Sequence, residues 1–355
     1  MTTPGDAVIA RVDAELAEFL DGRARALASA GDDLTPVLAA ARRSVLDGGK
    51  RLRPTFAYWG WRAARQADED DRGLVTAAAS LELLHSCALV HDDVMDASAT
   101  RRGRPSAHAT FADLHRGQGW SGDPDVFGTA AAIVLGDLLL SWADAMFARA
   151  PIAPQARSRT RDVYDEMRQL VMAGQYLDVL VQARGDFSVT EALRVIEFKT
   201  SKYTVEGPLH LGAAAAGAGE DVFFVLTEYG LSLGEAFQLR DDILGVFGDP
   251  SVTGKPAGDD LREGKHTLLT ALAMQAADPV QSAALRTGLG NRHLLDADVE
   301  ALRDVIVRTG ALEQVEQRIA DRTVRARRAL ESPAITDDAR AALDALAGAA
   351  ANRRA

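Results

Sequence analysis

One periodicity runs through the chain and limits what it can become. Apolar residues recur at three and four spacing in nearly every segment between Gly or Pro punctuation, and no run alternates apolar with polar as a half-buried strand would. Stripes of that kind are buried only by packing helix on helix, so the expected fold class is all-α, with about a dozen helices. Residue choice agrees. Ala, Leu, Arg and Glu are abundant while Thr, Ile, Tyr and Phe are sparse, and unbranched side chains lose little rotamer freedom in a helix.

Breaks fall at Gly48-Gly49, Arg102 to Pro105, the Gly-rich Arg116 to Pro124, Pro151 to Pro154, Ala216 to Gly219, Gly248 to Gly264 and near Pro333. None is long and polar enough for a flexible linker, so residues 1–355 are expected to form a single domain. The segment Asp249 to Gly264 exceeds an ordinary helix connection, which marks it as a functional loop.

A formal net charge of -11 argues against a nucleic-acid partner, because phosphate backbones call for a basic face. It leaves room for phosphate ligands held through divalent cations. The first twenty residues carry Asp6, Asp13, Glu15 and Glu18 and do not read as a signal peptide. The most apolar stretch, Ala130 to Ala143, is interrupted by Asp137 and is read as a core helix too short to span a bilayer, so no transmembrane segment is expected. A single cysteine, Cys87, excludes an internal disulfide and fits a reducing cytoplasm.

The segment from Leu81 to Asp96 ends an apolar helix in an Asp-Asp-x-x-Asp cluster. On a helical wheel Asp92, Asp96 and Asp93 fall at about 0°, 40° and 100°, so all three project to one side. Like charges there repel one another and oppose the helix dipole. A hard cation such as Mg²⁺ relieves this, because it takes one or two carboxylates and fills its other positions with water and phosphate oxygens. A lone acidic triplet is more often a solvated face. Here it ends a core-facing helix, and a similar arrangement returns as Asp241-Asp242 after Leu231, Leu233 and Phe237. Two acidic helix ends facing one cavity would hold Mg²⁺ and help a diphosphate depart.

Basic groups accompany both ends. Gly48 to Pro54 places Lys50 and Arg53 beside glycines, with Pro54 suited to the first turn of a helix. Arg101 and Arg102 follow the first cluster, and Lys199, Lys255 and Lys265 flank the second. His91 and His108 are read as structural.

These segments, in this order, closely resemble the trans-isoprenyl diphosphate synthases, or polyprenyl synthetases: Gly48 to Pro54, His85 to Asp96 with Arg101-Arg-Gly103, Gly136 to Leu140, Lys199 to Tyr203, and Gln238 to Asp242 with Lys255 and Lys265. The resemblance, which closely fits a geranylgeranyl diphosphate synthase, implies the isoprenoid synthase fold, a helical bundle around a central active-site cavity. It implies that Asp92, Asp96 and Asp241 ligate three Mg²⁺ ions, supported by Asp93 and Asp242. Arg101, Lys199 and Lys255 would grip an allylic diphosphate (dimethylallyl, geranyl or farnesyl). Lys50, Arg53, His85 and Arg102 would hold isopentenyl diphosphate, with Arg353 and Arg354 closing over it. Thr200 and Gln238 would stabilise the allylic cation that the isopentenyl double bond attacks, and a homodimer is implied.

One departure stands out. Gly245 replaces a third Asp of the second motif, so that cluster has two carboxylates unless Asp249 or Asp259 substitutes. Product length is expected to be set one and two turns before Asp92, at Cys87 and Ala88 and then at Leu84, Leu81 or Ile133 of a neighbouring helix. The small near residues predict passage beyond the farnesyl stage to geranylgeranyl diphosphate, with farnesyl or longer products as alternatives. A class I terpene cyclase would need a different second metal motif, and a silent subunit of a heteromeric synthase would lack complete motifs.

Overall fold

The computed structural model describes residues 4–65, 69–248 and 258–351. About 80% of the chain is helical, as the periodicity requires. The chain divides into two compact units, Met1–Tyr58 with Gln66–Arg157, and Trp59–Arg65 with Ser158–Ala355.

The first unit contains α1 (Pro4–Leu27), α2 (Thr35–Leu46), the start of α3 (Leu52–Arg62), α4 (Arg72–Met95), α5 (Ala107–Gln118) and α6 (Pro124–Phe147). Helix α1 lays Val8, Val12, Leu16, Phe19 and Leu20 along one buried stripe. Helix α4 has no such single stripe. Leu74, Ala78, Leu81, Leu83, Leu84, Cys87 and Val90 are all buried, so it is the central helix of its unit. One charge inside is matched: Arg51 donates to Glu82 at 2.9 Å and to Asp13 at 2.7 Å, with Arg51 and Glu82 both buried.

Three sequence expectations change here. A small antiparallel hairpin, Thr100–Arg101 with Arg104–Pro105, follows α4. Arg102 and Gly103 both take positive φ, 54° and 71°, the signature of a two-residue type I′ turn. Second, α6 is longer than the apolar stretch anticipated from Ala130 to Ala143. Among the described residues, α4 and α6 are each long and apolar enough to cross a membrane by length and composition, and α4 is mostly buried inside the protein. Third, the Gly-rich segment after α5 is a short ordered turn. Gly119 caps α5 in the left-handed region, and the Asp123 side chain caps α6 by accepting from the Asp125 backbone N–H at 2.8 Å.

The second unit contains most of α7 (Pro154–Arg184), α8 (Val189–Val195), a π-helical stretch (Ile196–Glu206), α9 (Gly207–Ala216) and α10 (Glu220–Phe247). After these come α11 (Asp259–Glu263), α12 (Leu268–Ala276), α13 (Pro279–Gly288), α14 (Asp296–Arg308), α15 (Ala311–Ala329) and α16 (Asp337–Ala351). Helix α10 packs on the π-helical stretch and on α15. Its Ala236, Leu239, Ile243 and Val246 share one core with Leu261 of α11, Leu268 and Leu269 of α12, and Val315 and Ile319 of α15.

Candidate active site

Each unit carries one acidic helix segment with basic residues around it, at the end of α4 in the first and, contrary to expectation, more than a turn before the end of α10 at Phe247 in the second. In the first unit α4 ends at Met95 and Asp96 is its C-cap, its backbone N–H donating to the Asp92 carbonyl at 2.8 Å. The three aspartates therefore sit on the last turn, as their spacing predicts. Their surroundings differ. Asp93 is buried and accepts from Arg101, whose Nε lies 2.9 Å away and whose Nη2 reaches the same oxygen. Asp92 is more open and lies 3.7 Å from Arg101 Nη2. Burial pushes the Asp93 carboxyl up from its ordinary value, against the pull of Arg101. The hairpin fixes this arrangement by turning Arg101 back toward the helix end it follows. Arg101 thus first serves as the partner of Asp93.

Beside this end lies a cationic group. Gly48 and Gly49 take positive φ of 84° and 101°, and α3 then starts with Pro54 in its first turn, as expected. His85 titrates well below its ordinary value, chiefly through burial and then through the charges of Arg53, Arg102, Arg101 and Arg51. The ring is therefore neutral. So many guanidinium groups about an uncharged histidine make a site that favours an anion. Arg102 donates to the Asp47 carbonyl at 2.8 Å, while Lys50 is exposed. A cavity of about 810 Å³ lies against this group, lined by Arg43, Leu89, Val90, Asp93, Arg101 and Arg102 among others. The two structural histidines behave as read: His91 contacts the Ile133 carbonyl at 3.1 Å and His108 contacts Ser106 Oγ at 3.1 Å.

The near chain-length positions differ in placement. Ala88 is half-buried on the Asp92 side of α4, about 40° around the wheel. Cys87 is buried with its sulfur 3.8 Å from His91 Nδ1, and Leu84 and Leu81 are buried below it. Ile133 is 44% exposed.

In the second unit Lys199 and Thr200 lie on the π-helical stretch. Such stretches are uncommon and frequent at functional sites. Two glycines admit it. A Cβ on Gly174 of α7 would come within 2.5 Å of the Lys199 nitrogen, and one on Gly234 of α10 would overlap Ser201. Lys199 Nζ pairs with Asp178 of α7 at 2.7 Å. Asp178 was not anticipated, and its only sequence signal is its place one turn after Gly174.

A relay of side chains follows. Thr200 Oγ1 donates to Gln238 Oε1 at 2.6 Å, and Gln238 Nε2 donates to Asp242 Oδ1 at 2.8 Å. This chain fixes the amide orientation and leaves the threonine oxygen with acceptor capacity. Burial drives the Asp242 carboxyl up to about 8, with Asp260 and Asp241 adding to the rise. Asp241, in contrast, is only half-buried. Lys265 Nζ lies 3.1 Å from Glu263 and its charge bears on Asp242. Among the described residues the nearest atoms to a Cβ on Gly245 are those of the Asp260 carboxylate, not of Asp259. Asp249, Lys255, Arg353 and Arg354 lie outside the described residues.

Comparison with known proteins decides what this arrangement belongs to. The polyprenyl synthetase family profile matches residues 35–306. The chain belongs to the polyprenyl synthetase family. It is a trans-prenyltransferase, as the motif order implied. Among relatives of this family, the geranylfarnesyl diphosphate synthase of Aeropyrum pernix is 35% identical over 303 residues, covering 84% of this chain and 88% of the relative. The octaprenyl diphosphate synthase of Escherichia coli is 33% identical over 290 residues, 81% of each chain. The geranylgeranyl pyrophosphate synthase of Corynebacterium glutamicum, crystallised with isoprenyl diphosphate and magnesium, superposes with a TM-score of 0.93. It is 43% identical over 97% of this chain and 98% of its own. The expected isoprenoid synthase fold is thereby established.

Proposed function

We propose that this polyprenyl synthetase extends an allylic diphosphate with isopentenyl diphosphate in a Mg²⁺-dependent reaction and releases geranylgeranyl diphosphate as its main product. The observation that carries the metal dependence is the pair of acidic helix segments, each with one more open aspartate beside a buried one. Asp92, Asp96 and Asp241 are half-buried hard oxygen donors, the donor type that fits Mg²⁺. Three ions are expected. Bound there, the cations neutralise the diphosphate and favour its departure as a leaving group.

The chain's own residues do the rest. Lys199, with Arg101 and Lys255, holds the allylic diphosphate, its ammonium kept in place by Asp178 while another of its protons reaches a phosphate oxygen. Arg53, His85, Arg102 and Lys50 hold isopentenyl diphosphate. Neutral His85 serves as a hydrogen-bond donor at no charge cost. Thr200 and Gln238, oriented by Asp242, present their oxygen dipoles to the allylic cation. Ala88 and Cys87 put only small side chains about one turn before Asp92, which supports elongation past the farnesyl stage. The exposed Val126, Ile133 and Val134 of α6 support a homodimer interface, and a cytoplasmic location is part of the same reading.

Incubation of the purified enzyme with isopentenyl diphosphate, Mg²⁺ and each allylic diphosphate, followed by product mass measurement, tests this reading. The expected main product is geranylgeranyl diphosphate. A geranylfarnesyl product, as made by the Aeropyrum relative, would overturn the length assignment. Diphosphate release without consumption of isopentenyl diphosphate would overturn the reaction type.

A further inference from the structure

Helix α15 carries Arg318, Arg322 and Arg325 at four- and three-residue spacing, so their guanidinium groups share one face of the helix. Facing them, α10 supplies Glu235 and, two turns earlier, Glu228. The pairing is uneven. Arg318 Nε donates to Glu235 Oε1 and Arg322 Nε donates to the same oxygen at 2.9 Å, while Arg325 pairs with Glu228 at 2.7 Å. Two cations therefore share one carboxylate. Among the described residues, neither Arg318 nor Arg322 makes a further hydrogen bond or ion pair.

Each of these two guanidinium groups is held through Nε alone, which leaves its Nη donors for something else. Glu235 is only 14% exposed, while Arg318 and Arg322 are 33% and 27% exposed. The carboxylate thus anchors both arginines from below and their outer edges stay accessible. A groove of about 500 Å³ lies against them, with Leu193 and Arg194 of α8, Ser201 of the π-helical stretch and Leu231 of α10 on its other walls. Its remaining carboxylate, Glu197, lies 3.8 Å from Lys202, and Arg194 lies 3.6 Å from Glu191. Pair by pair the charges around the groove cancel, except at Glu235, where one guanidinium is left over. An uncompensated cation in a partly buried cleft, on a chain with a formal net charge of -11, calls for an anion.

We propose that this groove is a second anion site, one that takes a diphosphate on the Nη groups of Arg318 and Arg322. Lys199, Gln238, Asp241 and Asp242 do not line it, so it is separate from the reacting groups of its unit. A guanidinium fork matches two phosphate oxygens at once, and two forks one helical turn apart serve both phosphoryl groups of a diphosphate. Leu193 and Leu231 add apolar wall. The diphosphate has two sources with this chemistry, free pyrophosphate and the head of a prenyl diphosphate. Both are products of prenyl transfer, so occupancy of the groove follows product accumulation.

Equilibrium dialysis of labelled inorganic pyrophosphate against the intact enzyme in EDTA counts bound anion without metal or turnover. Wild type is expected to bind one pyrophosphate more per chain than the Arg318→Gln/Arg322→Gln double variant, whose affinity at the groove should fall about 100-fold. Those arginines also tie α15 to α10, so a second variant works in the opposite direction. Glu235→Gln keeps an oxygen for both Nε groups and removes the competing charge, and it is expected to tighten pyrophosphate binding at the groove about tenfold, a gain that loss of structure does not produce. The same difference between wild type and the double variant, measured with farnesyl thiodiphosphate, identifies the source. Tighter binding than pyrophosphate assigns the groove to the prenyl diphosphate, and equal or weaker binding assigns it to free pyrophosphate. Equal pyrophosphate stoichiometry and affinity in wild type and the double variant would overturn the proposal. Unchanged or weaker pyrophosphate binding in Glu235→Gln would overturn it as well.

Discussion

The ammonium of Lys199 and the carboxylate of Asp178 lie 2.7 Å apart, both only partly exposed, where Gly174 lets α7 touch the π-helical stretch. The pair aims a flexible lysine before substrate arrives. A charge-assisted hydrogen bond of this kind contributes about 1.5–3 kcal/mol, so Asp178→Asn should raise KM for the allylic diphosphate about tenfold. KM for isopentenyl diphosphate should stay unchanged. Steady-state kinetics with each substrate varied in turn checks both.

Glu82 and Arg51 are both buried, and Asp13 is the half-exposed second partner of Arg51. Removing one member of a buried pair leaves the other charged and desolvated. Glu82→Ala is expected to cost about 3 kcal/mol or more of stability, measured by urea unfolding. Asp13→Ala should cost much less, because water reaches that side of the pair.

The helices and their acidic segments were legible because each depends on local spacing. Pro54 in the first turn of α3 and the structural roles of His91 and His108 came from the same short-range rules. What was not legible depends on partners distant in sequence. The π-helical stretch under Lys199 exists because Gly174 and Gly234 admit it from two other helices. Asp178 was not singled out by any motif read from the sequence and matters through the lysine it faces. The pairing of Arg101 with Asp93 required a two-residue hairpin too short to show as alternation.

Ala88 sits one turn before Asp92 on the same side of α4, half-buried. An aromatic side chain there would fill the space one turn deep, roughly 5.4 Å, about the reach of one isoprene unit. Ala88→Phe is expected to shift the product from geranylgeranyl to farnesyl diphosphate, read by mass. An unchanged product would place the growing chain elsewhere.

His210 contacts Thr227 Oγ1 at 3.0 Å and packs on Phe223, and burial lowers its pKa to about 4. In the unfolded chain the ring takes a proton near its ordinary value of about 6.5, so the unfolded state binds more protons between the two values. Stability owed to neutral His210 is therefore present above about pH 6.5 and is lost as pH falls toward 4. The full linkage is about 3 kcal/mol, reduced to roughly 2 because the ring keeps some exposure. Unfolding midpoints of wild type should fall more steeply over that interval than those of His210→Asn.

The most direct test of the account is pyrophosphate release from geranyl or farnesyl diphosphate with isopentenyl diphosphate and Mg²⁺, compared among wild type, Asp92→Asn and Asp241→Asn. Each variant is expected to keep its fold by circular dichroism and to lose turnover on the order of a thousandfold. Wild-type turnover in either variant would contradict the claim that both acidic helix segments carry the reaction.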